Sequence, residues 1–392
     1  MRSVISALVA LSVLAGIVSI SALSATRAEH WQANRIFVHL DDQTRIVARR
    51  TNLEAKKNGW TWRGEIAETG EPVMMMWWKK GRVSGMFSYR GDMYTLKNVT
   101  TTGGEVHALA QGNSERMPVQ PPTPRSASAD HRRDHAGLEA QRDPAHPLSV
   151  LAYARGPSRP NVTPLSLAER RALAAKQITI DVMVLYTGKV ASKYLDVDKD
   201  VALHSIEEAN ASFVNSDIGN VKLRLVHSQR IDYDESQGEH FNHLYRMVDG
   251  VGTFAKVEAL RNEKRADVVV LIVDDASSCG LATRVAADAE EAFAVVHHAC
   301  AVLTYSVPHE IGHIIGARHD ATMDETDTYG HGYVNGAKWR DIMSYKSSCG
   351  GCPRLAFWSN PTINIGGEPA GTVLADNARV ILEQAERVSR FR

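Results

Sequence analysis

The stretch His309-Glu310-Ile311-Gly312-His313-Ile314-Ile315-Gly316-Ala317-Arg318-His319-Asp320 constrains this chain more than any other. Histidines at i and i+4 project from one face of a helix, and Glu310 sits beside them. Gly316 lets the backbone leave the helix and turn back, so that His319 supplies a third nitrogen. Three neutral imidazoles plus a water form the donor set of a catalytic zinc site, because a structural site closes its fourth position with protein. The core H-E-x-x-H recurs by chance. Its extension to G-x-x-H, followed by Met343 in Asp341-Ile342-Met343-Ser344-Tyr345, makes the pattern specific. One Zn2+ on His309, His313 and His319 is expected; a structural Ca2+ has no supporting motif.

The amino terminus reads as an export signal over residues 1–28. Arg2 is the only charge before an apolar run from Val4 to Leu23, and small residues from Ala22 to Ala28 offer cleavage points. The run approaches the ~20 residues that span a bilayer, but its Ser, Ala and Gly content and small-residue exit favour cleavage. No later segment is long and apolar enough to span. A secreted protein, extracellular or periplasmic and without stable membrane association, is therefore expected, in an oxidising compartment.

Cys279, Cys300, Cys349 and Cys352 permit three pairings, and sequence alone does not choose among them. Cys279–Cys300, closing the loop ahead of the metal helix, and Cys349–Cys352, pinning the turn after Met343, are the favoured pair. A redox or metal role for C-x-x-C lacks a thioredoxin-like context or a second such motif. The 45 basic and 45 acidic residues cancel, which argues against a polyanion partner, and no basic aromatic stripe suggests nucleic acid.

Three regions follow the signal. Residues 29–111 alternate short apolar stretches with Gly and charged turns, as in 35–40, 72–76 and 83–89, and read as a small, mainly β front module. Met74, Met75, Met76, Trp77 and Trp78 fit a strand covered on both faces better than a recognition surface; the Trp-rich segment is also placed to rest against the cleft. Residues 112–175 are a linker and processing region, since Pro, Ser, His, Arg and Asp give little to bury. His131 to His135 read as a solvated charged tract there, and Arg170-Arg171 as a basic pair near its end. The front module is then a pro-region, a possible intramolecular partner of the catalytic part. With no cysteine before Lys176, it must inhibit by covering the cleft or through a carboxylate, imidazole or backbone ligand.

Residues 176–392 form the catalytic domain. Strands are expected at 178–186, 221–226, 266–273 and 292–296, helices at 201–214, 241–260 with a break near Gly250-Val251-Gly252, and 375–388. This order indicates a mixed α/β sandwich. His240, His243, His297 and His298 share no register with the zinc histidines and read as surface or structural.

The zinc stretch with Met343 resembles the metzincin metalloendopeptidases, and Asp320 after the third histidine is like their reprolysin-type branch. Trp339-Arg340-Asp341-Ile342-Met343-Ser344-Tyr345, Cys349-Gly350-Gly351-Cys352-Pro353-Arg354 and Trp358-Ser359-Asn360-Pro361 are similar to the bacterial peptidyl-Asp metallopeptidases, over about residues 178–378. The resemblance implies an α/β, metzincin-like catalytic domain with a mixed twisted sheet and a zinc-binding helix. It implies a zinc-dependent endopeptidase whose water, activated by the metal, hydrolyses polypeptides on the amino side of aspartate, with Glu310 as base and Met343 in a turn beneath the metal. Such a preference requires a cationic pocket; Arg354 is the first choice, with Lys346 beside it and Arg284 more distant.

Physical chemistry assigns matching roles. Glu310 can accept the water's proton and pass it to the leaving amine. Met343 packs under the imidazoles and is not a ligand, since a thioether is a soft donor. Asp320 orients the chain after His319 or forms a surface ion pair, and Tyr345 either reaches the reacting carbonyl or is a core tyrosine. A binding module that kept the metal only for stability would tolerate loss of Glu310, which is intact here.

Overall fold

The computed structural model describes residues 32–112 and 163–392, apart from 41–42, 57–58, 79–81, 91, 102–103 and 327. The expected signal peptide and the 131–135 tract lie outside the described residues. The front module is a seven-stranded antiparallel meander in sequence order: β1 (Arg35–His39), β2 (Arg45–Lys56), β3 (Gly59–Ile66), β4 (Pro72–Trp78), β5 (Val83–Tyr89), β6 (Asp92–Thr101) and β7 (Gly104–Gly112). In β4, alternation sends Val73 and Met75 into the module's own core with Trp62 and Phe87. Met74 on the other face lines a cavity of about 20 Å³ with Glu208, Tyr305 and Ala356 of the following region. The Met-rich strand is thus covered on both faces. Glu207, 3% exposed, accepts Lys56 at 2.8 Å and Arg63 at 3.0 Å, which ties the two regions by buried charge.

The segment expected to be linker ends in a helix, α1 (Leu167–Ala174), begun by a capping box between Ser166 and Glu169. Arg170 is buried against Asp376. The basic pair Arg170-Arg171 is therefore half built into the fold, with Arg170 buried and Arg171 exposed.

The catalytic sheet comprises β8 (Ile178–Thr187), β9 (Val221–Ile231), β10 (Val268–Val273), β11 (Gly280–Ala282) and β12 (Phe293–His297), in the order β11-β12-β10-β8-β9. All neighbours are parallel except β11, which runs antiparallel along β12 at the edge. Every residue of β10 is buried, as a parallel strand covered on both faces demands. Val268, Val270 and Ile272 pack with α2 (His204–Asn215), the metal-motif helix and the last helix. Val269, Leu271 and Val273 face the opposite core, with Leu244 and Met247 of α3 (His240–Val248) and Val257 of α4 (Val257–Lys264). Between α3 and α4 the chain turns at Gly250 (φ 65°) and Gly252 (φ 61°), the break the sequence marks. A short α5 (His298–Leu303) leads into α6 (Ser306–Ile315), and α7 (Asn377–Val388) closes the chain. Two disulfides join Cys279–Cys300 and Cys349–Cys352, with Cα separations of 5.4 and 5.6 Å. Among the described residues no helix is long and apolar enough to cross a membrane.

Candidate active site

Helix α6 is buried over its whole length. Gly312 is required in it: a Cβ there would lie 2.6 Å from the Trp358 ring and 3.2 Å from Met343 Sδ. Gly316, at φ 137°, ends the helix and turns the chain so that His319 returns beside His309 and His313.

The Nε2 of His319 sits 3.1 Å from that of His309 and 2.9 Å from that of His313. The other ring nitrogens fix the tautomers. His309 Nδ1 donates to the Ile342 carbonyl at 2.8 Å and His313 Nδ1 to the Ala317 carbonyl at 2.9 Å. A ring with its proton on Nδ1 presents a bare lone pair at Nε2, so at least two lone pairs converge on one point. Burial, the largest cause, with neighbouring positive charge, holds His309 and His319 well below the usual imidazole range; burial pushes His313 down to about 4. Neutral nitrogens this close suit a zinc ion, whose tetrahedral donors at ~2.0–2.1 Å stand about 3.3 Å apart.

Glu310 is 1% exposed, and its carboxylate lies against Gly280 of the edge strand, where a Cβ would sit 2.6 Å from Oε1. Any side chain at 280 would displace the carboxylate. Tyr345 stands edge-on to His319, ring centroids 4.6 Å apart. Burial first, then the Glu310 charge, push its phenol far above the usual range, so it is protonated at neutral pH, and its hydroxyl has no hydrogen-bond partner among the described residues.

Met343 is fully buried and packs below α6. Asp320 is an internal brace: Oδ2 accepts the Tyr345 amide at 2.9 Å and Oδ1 the Thr322 amide at 3.2 Å. It joins the loop after His319 to the segment after Met343, and makes no ion pair among the described residues. Two residues the sequence reading passed over brace the same turn. Asp341 accepts the Met343 amide at 3.1 Å, the Ser344 hydroxyl at 2.6 Å and the Ser359 amide at 3.0 Å. His331 lies between two carbonyls, Nδ1 3.0 Å from that of His319 and Nε2 2.7 Å from that of Thr326. The Asp341-x-Met343-Ser344 spacing was the available signal for the first; nothing in the sequence marked the second.

Of the expected cations, the structure draws in Arg354. Its guanidinium donates to the carbonyls of Thr304 (2.9 Å) and Ser344 (3.1 Å), within electrostatic reach of Asp341 first, then of Tyr345 and Glu310, and of His309 and His319. Arg340 lies next to it, 7% exposed, bonded to the Cys352 carbonyl and pushed down to about 9 by burial and then by the Arg354 charge. Neither makes an ion pair among the described residues, and both leave Nε without a partner. Lys346 belongs to the next turn, its carbonyl accepting the amides of Cys349 and Gly351 at 3.3 and 3.1 Å. Arg284 is ion-paired with Asp288 and Glu291 at 2.7 and 2.6 Å. Sequence reasoning missed Arg340, which in a row of letters looks like any surface arginine.

The reprolysin-type pattern of metallo-peptidase family M12 matches residues 176–359. A peptidyl-Asp metalloendopeptidase of Xanthomonas campestris pv. campestris is 33% identical over 315 residues, covering 79% of this chain and 67% of that protein. One from Stenotrophomonas maltophilia (strain R551-3) is 33% identical over 319 residues, covering 79% and 68%. The Pseudomonas fragi protein of that name is 32% identical over 189 residues, 47% of this chain and its own whole length. The first two alignments are longer than the catalytic region alone and so extend into the front module. The chain belongs to the reprolysin-like metallopeptidases of family M12 and is homologous to the peptidyl-Asp metalloendopeptidases.

Proposed function

We propose that this protein is an exported zinc endopeptidase that cuts polypeptides on the amino side of aspartate. The observation that carries the reading is the pair of guanidiniums, Arg354 and Arg340, that make no direct ion pair among the described residues and leave Nε without a hydrogen bond, beside a converging histidine triad with an adjacent carboxylate. The homology to enzymes named for peptidyl-Asp cleavage supports it.

His309, His313 and His319 would hold the zinc, which supplies Lewis acidity to the scissile carbonyl and to a water. Glu310 takes a proton from the attacking water and delivers it to the leaving nitrogen. Its position against Gly280 confines the carboxylate to one approach. Tyr345, protonated and with its hydroxyl uncommitted, donates to the developing oxyanion. Arg354 grips the carboxylate of the residue after the scissile bond, for which a planar guanidinium offers a bidentate face. Chelator should abolish hydrolysis, and of two peptides differing only in Asp or Leu after the scissile bond, the Asp peptide should be cut at least about tenfold faster, roughly 1.4 kcal/mol of discrimination. Equal rates would reject the acidic preference; chelator-insensitive hydrolysis would reject the metal.

The front module acts as a pro-region in this proposal. Its β3–β4 turn, Thr69 to Pro72, lines a cavity of about 560 Å³ with Trp339, Pro353 and Leu355, the residues around Arg354. Maturation by a cut between 112 and 163, upstream of α1, leaves the Arg170–Asp376 contact in place. Uncut protein should be the slower form; uncut protein as active as the cut and separated form would exclude latency.

A further inference from the structure

The parallel register of β10 and β12 sets Val273 opposite His297. The chain therefore leaves the two strands side by side, as Asp274-Asp275 and as His297-His298, at the carboxyl edge of the sheet, where open parallel sheets gather ligands. One donor atom each from Asp274, His297 and His298 falls within 4.8 Å of the others. Asp274 Oδ1 is 3.0 Å from His298 Nε2, and the two imidazole rings stand 4.6 Å apart.

The surroundings hold these groups in place. His298 Nδ1 lies 2.7 Å from the Tyr194 hydroxyl, the kind of outer contact that orients a ligating imidazole. Lys193 takes the other oxygen of Asp274 at 3.1 Å from a partly exposed position, leaving Oδ1 directed at His298. Asp275, next in the chain, is gripped by His240 at 2.8 Å and His243 at 3.5 Å. The anomaly is His297: only 7% exposed, it leaves Nδ1 with no hydrogen-bond partner, and a buried polar atom without a partner is costly.

We propose that Asp274, His297 and His298 bind a second transition-metal ion of the zinc class, separate from the ion on α6. Two imidazoles with one carboxylate favour zinc over calcium or magnesium, which take all-oxygen sets. Zinc at ~2.0–2.2 Å from each donor sets the donors about 3.3–3.5 Å apart, so each side chain shifts by about 1 Å or less to close on it. The site is structural in effect. It fixes the loop from Asp274 to Cys279 that enters β11, and β11 carries Gly280 against Glu310. It stands independently of the endopeptidase reading.

The test uses full-length protein loaded with zinc, dialysed against metal-free buffer and assayed for zinc per chain. Wild type should hold about two ions. His298→Gln and Asp274→Asn should each hold about one, as should His313→Gln, which loses the ion on α6 and keeps this one. Zinc should still raise the melting temperature of His313→Gln, and should not raise that of the His313→Gln/His298→Gln double variant. A single ion in wild type that is absent from His313→Gln would overturn the proposal, and so would two ions retained by His298→Gln. If His298→Gln does not fold, the count in His313→Gln decides the matter alone.

Discussion

Glu310→Ala should lower peptide hydrolysis by about 10²–10⁴-fold, the usual worth of a positioned general base, while the protein keeps its zinc. Two observations separate the role of this residue from those of its neighbours. The three Nε2 atoms that converge belong to His309, His313 and His319, whereas the Glu310 carboxylate is packed on Gly280 across the cleft wall. Truncation removes no donor from the cluster, and alanine suits the middle of a helix. Glu310→Gln, which keeps the volume and loses the basicity, should match the alanine variant in rate if proton transfer is what matters. Zinc content, circular dichroism and turnover of both variants make the check. Loss of zinc from a folded Glu310→Ala protein would reassign the residue as a ligand, and near-normal turnover would remove it from the mechanism.

The legibility of this site in sequence follows from how local each part is. The histidine triad needs one helix, one glycine turn and eleven residues of chain from His309 to His319, so spacing alone reports it. The buried strand β10 is legible because both its faces are covered and its letters are continuously apolar. The edge strand β11 is three residues long, too short for any period to show, yet it supplies the wall against which Glu310 rests. The helix α1 carried a legible start signal in its Ser166-x-x-Glu169 capping box, but its eight residues are too few to show a clear apolar stripe, and Asp376, the partner that buries Arg170, lies far along the chain. The three cations behave the same way. The sequence ranks Arg354 ahead of Lys346 and Arg284 but shows none of their partners, the carbonyls of Thr304 and Ser344 around Arg354 and the carboxylates of Asp288 and Glu291 around Arg284. Those partners come from elements far apart in the sequence. The histidines at 240, 243 and 297, read as surface or structural, are buried through such distant partners too: His240 and His243 sit on α3 against Asp275, and His297 is set beside Val273 by the register of β12 on β10.

Arg354→Ala should reduce the preference for aspartate over leucine after the scissile bond by at least about tenfold, with the loss falling on the aspartate peptide. A carboxylate arriving beside Arg354 meets a guanidinium already held by two carbonyls, so little side-chain freedom remains to be lost on binding. Truncating one partner of a desolvated, hydrogen-bonded charge pair costs about 2–5 kcal/mol, far above what a solvated surface charge contributes. Arg340 prevents the change from being absolute, since its charge remains close by. Arg354→Lys should recover part of the preference, because it restores charge without the planar fork. Arg340→Ala should weaken aspartate cleavage less than Arg354→Ala, as its side chain is the more deeply buried and is bonded to the Cys352 carbonyl. The comparison is a ratio of kcat/KM values on a matched peptide pair, so a general loss of stability or of metal cancels between the two substrates. An unchanged ratio in Arg354→Ala excludes this guanidinium as the reader of the substrate, and an unchanged ratio in the Arg340→Ala/Arg354→Ala double variant moves acidic recognition out of this pocket altogether.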